Sequence, residues 1–285
     1  MVTESVKTVS MTDITDRSRT TGIAAAETIA FDVPSREDAT DLRRNRAVTM
    51  SDLRVDSPET LPGWMMPWPA FDVDWSKAGL LIIDFQNYGS NPECGVARML
   101  CEQYADVAGY YIPQLRTTIA NTRRLLDRFR ESHREVVYTR HGPLLQDGRD
   151  MIERRRRRDT DSVAMTARPT LWSRGSFEHE IVSELTPQAD ELVIDKNASS
   201  AFNGTGIDQL LRNLGLETLV VTGMATDMCV ETTARDAADR GYNVIVVEDA
   251  TATFFEEHHY AALSGMARVY SKVLTTEQVL DMLPS

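Results

Sequence analysis

Past residue 78, short continuous apolar runs alternate with stretches in which apolar residues recur every three or four positions. The runs at 79–84 (GLLIID), 135–140 (EVVYTR), 191–196 (ELVIDK), 217–223 (ETLVVTG) and 242–250 (YNVIVVEDA) read as strands. The first has the continuous apolar character of a strand buried on both faces. A further edge strand is expected at 268–273. Helical spacing predicts helices over 112–133, with Pro113 near the start, and over 177–185, 206–215, 226–241, 258–267 and 276–283. Gly215 and Gly241 are placed to close two of them. Six strands alternating with helices imply an α/β fold, a six-stranded, mostly parallel sheet with helices on both faces in three Rossmann-like layers. In such sheets ligands bind beyond the carboxyl ends of the strands.

Residues 1–60 are polar and lack sustained periodicity, so 1–75 is read as an N-terminal extension, partly disordered or an arm on a neighbouring subunit, ahead of a domain at 76–285. Segment 61–71 (LPGWMMPWPAF) is apolar but proline-rich, either a strap across the core or an apolar wall near a site. No run approaches the roughly 18 apolar residues of a membrane helix, and the N-terminus has no apolar signal core, so the expectation is a cytoplasmic protein without a membrane partner. A net charge of −12 argues against nucleic acid as a partner. Of the three cysteines, Cys94 and Cys101 are not expected to pair in a reducing compartment. Neither GxGxxG nor GxxxxGK[ST] occurs, which lowers the case for a dinucleotide or nucleotide cofactor.

The strand-end rule selects three residues. Asp84 ends the first strand, Lys196 ends the third, and Cys229 falls in the first turn of the helix after LVVTG. A helix N-terminus and a nearby ammonium both favour a thiolate, which is the nucleophilic form. Asp84 beside it can take the thiol proton and deliver it to a leaving amine. Free amides at the same turn can receive the oxygen of a tetrahedral intermediate.

The segment 220–237 (VVTGMATDMCVETTARDA) closely resembles the nucleophile segment of the isochorismatase-like cysteine hydrolases. The runs 80–87 (LLIIDFQN) and 193–215 (VIDKNASSAFNGTGIDQLLRNLG) are similar to that family's first catalytic strand and lysine segment. The resemblance spans roughly 76–280. It implies Asp84 as acid/base, Lys196 as the family lysine and Cys229 as nucleophile, with a cis peptide at Met224–Ala225 and the amides of Ala225 and Cys229 as an oxyanion hole. It further implies hydrolysis of a C–N bond in a small linear amide, ureide or N-carbamoyl compound through a thioester, in a homodimer or homotetramer. The nicotinamidase branch uses a metal-binding Asp-x-His; here the sequence is Thr139-Arg140-His141, so no metal and no other cofactor is expected. Alternatives are a nicotinamidase-like amidase and a non-catalytic scaffold or binding protein of the same fold.

Secondary candidates remain open between two roles. Gln86 could hydrogen-bond an amide substrate or fix a loop. Phe85 and Phe202 could cover a planar substrate or fill the core. His141 is a polar pocket residue or a loop residue. The five arginines Arg154–Arg158 suit a solvated helix face, an acidic partner surface or a substrate carboxylate.

Overall fold

The computed structural model describes residues 69–284. The expected extension therefore lies largely outside the described residues, as does 61–68 of the proline-rich segment. The packed body begins before the boundary expected at 76, because Phe71, Val73 and Trp75 pack against the core. Lys272 Nζ fixes this entry segment, donating to the Phe71 carbonyl at 2.6 Å with the ammonium 4.5 Å above the Phe71 ring.

Six strands form one sheet in the order β3-β2-β1-β4-β5-β6. They are β1 (Ala78–Ile83), β2 (Val136–His141), β3 (Leu192–Lys196), β4 (Thr218–Met224), β5 (Asn243–Ala252) and β6 (Lys272–Leu274). Every pairing is parallel. β1 and β4 are central, and each of their residues is buried, which is why their sequences are continuous apolar runs rather than alternating ones. Alternate residues then divide between two cores. Leu80, Ile82, Val136, Tyr138, Val220 and Ile245 serve one face. Leu81, Ile83, Val137, Leu219, Val221 and Val244 serve the other.

The helices are α1 (Asn87–Ser90), α2 (Gly95–Gln103), α3 (Ala105–Glu131), α4 (Glu153–Thr166), α5 (Ile207–Asn213), α6 (Glu231–Asp239), α7 (Glu256–Ala267) and α8 (Thr276–Met282). The long α3 covers the first core, and α5, α6 and α7 cover the second. Helix α3 starts seven residues before the predicted 112, which leaves Pro113 in its interior. The donor that Pro113 lacks would have served the Gly109 carbonyl, and Gly109 is exposed, so water can replace it.

The helix expected over 177–185 is absent. Two short 3-10 turns, Phe177–His179 and Ser183–Leu185, flank an antiparallel bridge between Gln86 and Ile181. The amides of Val182 and Asn87 bond to Phe85 and Glu180 across this bridge (2.9 and 2.8 Å). A backbone captured by a neighbouring strand end cannot also close its own helical bonds. The predicted helix at 226 begins as a π-turn over Thr226–Val230, with Val230 N–H donating to the Ala225 carbonyl at 3.2 Å, and only then becomes α6. The edge strand β6 is shorter than the expected 268–273.

Candidate active site

Asp84, Lys196 and Cys229 converge at the carboxyl edge of the sheet. Asp84 follows β1 in a left-handed conformation (φ 53°), and Gln86 N–H donates back to its carbonyl at 2.8 Å. A non-glycine residue held there has traded local comfort for direction. Lys196 ends β3, two strands away, and its Nζ lies 2.7 Å from Asp84 Oδ2. The same ammonium donates to the Ala198 and Ser199 carbonyls at 3.1 and 2.9 Å. Two hydrogen bonds to backbone carbonyls and the ion pair with Asp84 thus fix the head group. Thr139, at the end of β2 between them, donates its hydroxyl to Asp84 Oδ1 at 2.7 Å. Thr139 stands where a metal reading would have needed a carboxylate, and it was not singled out in the sequence. Parallel pairing of Ile83 with Thr139 is what brings it beside Asp84.

Cys229 sits in the π-turn, where the charges of both Asp84 and Lys196 act on its thiol. The peptide Met224–Ala225 is cis. Asp84 and Lys196 are each 1% exposed and Cys229 8%. Burial pushes the Cys229 thiol up to about 12; Lys196 opposes the rise and Asp84 adds to it. This differs from the expectation of an ionised sulfur. A helix terminus and one ammonium do not offset desolvation when the ammonium is already paired with a carboxylate. Burial also disfavours the Lys196 charge, but Asp84 and Cys229 outweigh it, so Lys196 is held above its usual range.

A cavity of about 150 Å³ opens onto the sulfur. Its lining includes Cys229, Ala225, Met224, Met228 and Phe254, together with Tyr88, Val96, Met99 and His141. The roof is made by Arg155 and Arg158 of α4 and by Thr170 and Leu171. Tyr88 is stacked on Trp172 of the roof segment, with centroids 5.1 Å apart and planes 16° apart.

Of the secondary candidates, His141 lines this cavity, while Gln86, Phe85 and Phe202 do not. The Gln86 amide donates to the His141 and His179 carbonyls (3.1 and 2.7 Å) and accepts from His141 N–H (2.7 Å). It splices the β2 exit to the 177–179 turn. Phe85 is fully buried in the α3-side core. Phe202 packs in the opposite core, against Tyr242 at 6.0 Å. His141 is buried, and its Nε2 has no partner. Burial, then Lys196, lowers its pKa to about 3, so the ring is neutral at pH 7. Helix α4 has no buried residue and so no apolar stripe; of the three roles open to Arg154–Arg158, the structure places Arg155 and Arg158 on the cavity.

The family model described as Isochorismatase domain matches residues 78–278. A ureidoacrylate amidohydrolase, RutB, of Rhizobium rhizogenes is 32% identical over 62% of this chain and 70% of its own. A solved cysteine hydrolase from Pseudomonas syringae pv. phaseolicola superposes with a TM-score of 0.64 at 24% identity, covering 77% of this chain and 98% of its own. An N-carbamoylsarcosine amidase from Thermoplasma acidophilum gives a TM-score of 0.51 at 26% identity, covering 70% and 97%. Among the described residues no helix is long and apolar enough to cross a membrane.

Proposed function

Because the chain belongs to the isochorismatase family of hydrolases, we propose that it is a cysteine-dependent amidohydrolase cleaving a C–N bond of a small linear amide, ureide or N-carbamoyl compound. The observation that carries this reading is a cysteine sulfur that lines a small cavity within electrostatic reach of a buried carboxylate–ammonium pair. The names of the relatives, a ureidoacrylate amidohydrolase and an N-carbamoylsarcosine amidase, support the same bond type.

The resting sulfur is a thiol, so its proton must leave as it attacks. Cys229 Sγ bonds to the carbonyl carbon while its proton passes to Asp84. The oxygen of the tetrahedral intermediate is received by the Ala225 and Cys229 amides. The C–N bond breaks, Asp84 returns the proton to the departing nitrogen, and a thioester remains. Water, deprotonated by Asp84, adds to the thioester carbon, and the sulfur leaves to regain the proton. Lys196 and Thr139 hold the carboxylate in position throughout. Neutral His141 offers a hydrogen bond from the cavity base to the substrate or the water.

Ammonia release from a panel of ureides, carbamoyl amino acids, biuret, maleamate and nicotinamide tests the reading. On the best of these, Cys229→Ala should lower turnover by on the order of 10⁴–10⁶-fold, with an unchanged urea midpoint. Normal turnover by that variant would overturn the scheme.

A further inference from the structure

The chain carries a net charge of −12, yet its cavity wall is cationic. Arg155 and Arg158 reach it, and among the described residues no Asp or Glu lines it. The adjacent Asp84 is already paired with Lys196, and His141 is neutral, so neither offsets the guanidiniums. Arg155 is near enough for its charge to act on both Tyr88 and His141, and it donates to a neutral partner, the Ser199 hydroxyl, at 3.1 Å. Arg158 makes no ion pair among the described residues, although its neighbour Arg157 is bridged to Glu153 at 2.6 Å. The two sit three residues apart on α4 and so share one face of the helix. Two guanidiniums without an ion pair among the described residues, over an apolar cavity, are suited to a planar anion, which they can grip through paired N–H donors.

The geometry points to a carboxylate clamp: Arg155 and Arg158 bind a carboxylate of the substrate, which is therefore a short-chain anion bearing that group within a few bonds of the carbon that Cys229 attacks. The size of the cavity sets the chain length, since about 150 Å³ holds a ligand of roughly six to ten heavy atoms. Neutral amides of the same size leave the guanidiniums unpaired and are poor substrates. This rests on the reading of Cys229 as the nucleophile and names the substrate class for it.

The test needs no knowledge of the natural substrate. Iodoacetate and iodoacetamide are nearly isosteric and differ in charge. Each alkylates a cysteine by forming an S–C bond as iodide departs, the thiol proton passing to a base. Cys101 is exposed and supplies the intrinsic rate ratio within the same protein. Rates at the two peptides are followed by mass spectrometry on the full chain. Relative to Cys101, Cys229 should favour iodoacetate over iodoacetamide by at least about tenfold, an effect fading at high salt. The Arg155→Gln/Arg158→Gln double variant should fall to within twofold of Cys101, and Arg155→Lys/Arg158→Lys should keep most of the preference. Should the double variant fail to fold, Arg158→Gln alone, at an exposed position, serves with a several-fold drop expected. Equal relative rates for the two reagents in the wild type, or a preference that survives the glutamines, would overturn the clamp. Ammonia release from linear amides without any reagent preference removes the clamp and leaves the amidase. A reagent preference without ammonia release from any amide does the reverse.

Discussion

The floor of the cavity and its roof are made in opposite ways. The floor is the layer of strand-end side chains adjoining the cavity: Asp84, Thr139 and Lys196, held by hydrogen bonds and an ion pair within a low-dielectric edge, and His141, the one of the four that lines the cavity itself. The roof is α4 and the 168–176 segment, and α4 has no buried residue. The floor cannot shift without breaking the sheet. The roof is held by a few polar links: Arg155 to Ser199, Asp159 to the 170–171 backbone, and Arg168 to Glu102. On the proposed reading, chemistry that must be aligned to fractions of an ångström falls to the first, and recognition, which can vary without loss of the fold, to the second.

The comparison is broken most severely by removing the floor's cation. Lys196→Met leaves the Asp84 charge buried and unpaired. The expected cost is about 3–5 kcal/mol of stability, read as a lowered urea midpoint, together with loss of turnover. A variant as stable as the wild type would mean that the pair is not the keystone of the edge.

Next in size is a change at the strand end that lets the floor close. Gly223 has φ 132°, and a Cβ there would lie 2.1 Å from the Ile83 carbonyl oxygen. Gly223→Ala should therefore cost about 3 kcal/mol, combining steric displacement of β1 with an unfavourable backbone. Because Ile83 precedes Asp84, activity should fall further than the loss of folded protein explains. Gly204, also at positive φ but with nothing near its absent Cβ, is the control.

The floor was legible in the sequence where the physics is local and repetitive. Continuous apolar runs gave the strands, and polar residues at their ends gave Asp84 and Lys196. Thr139 is chemically ordinary in sequence, and only the β1–β2 register reveals that its hydroxyl touches Asp84. Gln86 is open in the sequence between a substrate ligand and a loop anchor, and three backbone groups occupy its amide. The burial that pushes the Cys229 thiol up cannot be read from one segment. The roof was less legible throughout. A helix without an apolar stripe leaves no periodic signal, and the 177–185 pattern had helical spacing but a backbone claimed by Phe85 and Asn87.

Acid should sharpen the same contrast. Burial holds His141 near 3 and His259, which bonds Thr226 of the cysteine turn at 2.9 Å, near 4. Both are depressed, so the unfolded chain takes up protons that the folded one refuses. The stability is whole above about 6.5 and is lost as pH falls toward the native values. By pH 5 the loss should be on the order of 2 kcal/mol per histidine. His141→Gln should flatten the acid limb of the stability profile by one proton. The roof contributes no such slope, because guanidiniums do not titrate there.

The smallest expected effect is on the roof itself. Asp159 Oδ1 accepts from Leu171 N–H at 3.0 Å and from the Thr170 hydroxyl at 3.1 Å, tying the middle of α4 to the segment that completes the cavity. Asp159→Asn keeps the size and one acceptor but removes the charge from these bonds, worth about 1 kcal/mol in a part-exposed setting. With Arg155 and Arg158 carried on the same helix, the loosened roof should raise KM several-fold and leave kcat within about twofold, since the floor is untouched. The urea midpoint should fall by no more than about a few tenths of a molar, because α4 contributes no residue to either core. If kcat falls with KM unchanged, α4 takes part in the chemical step, and the division between a fixed floor and a recognising roof is wrong.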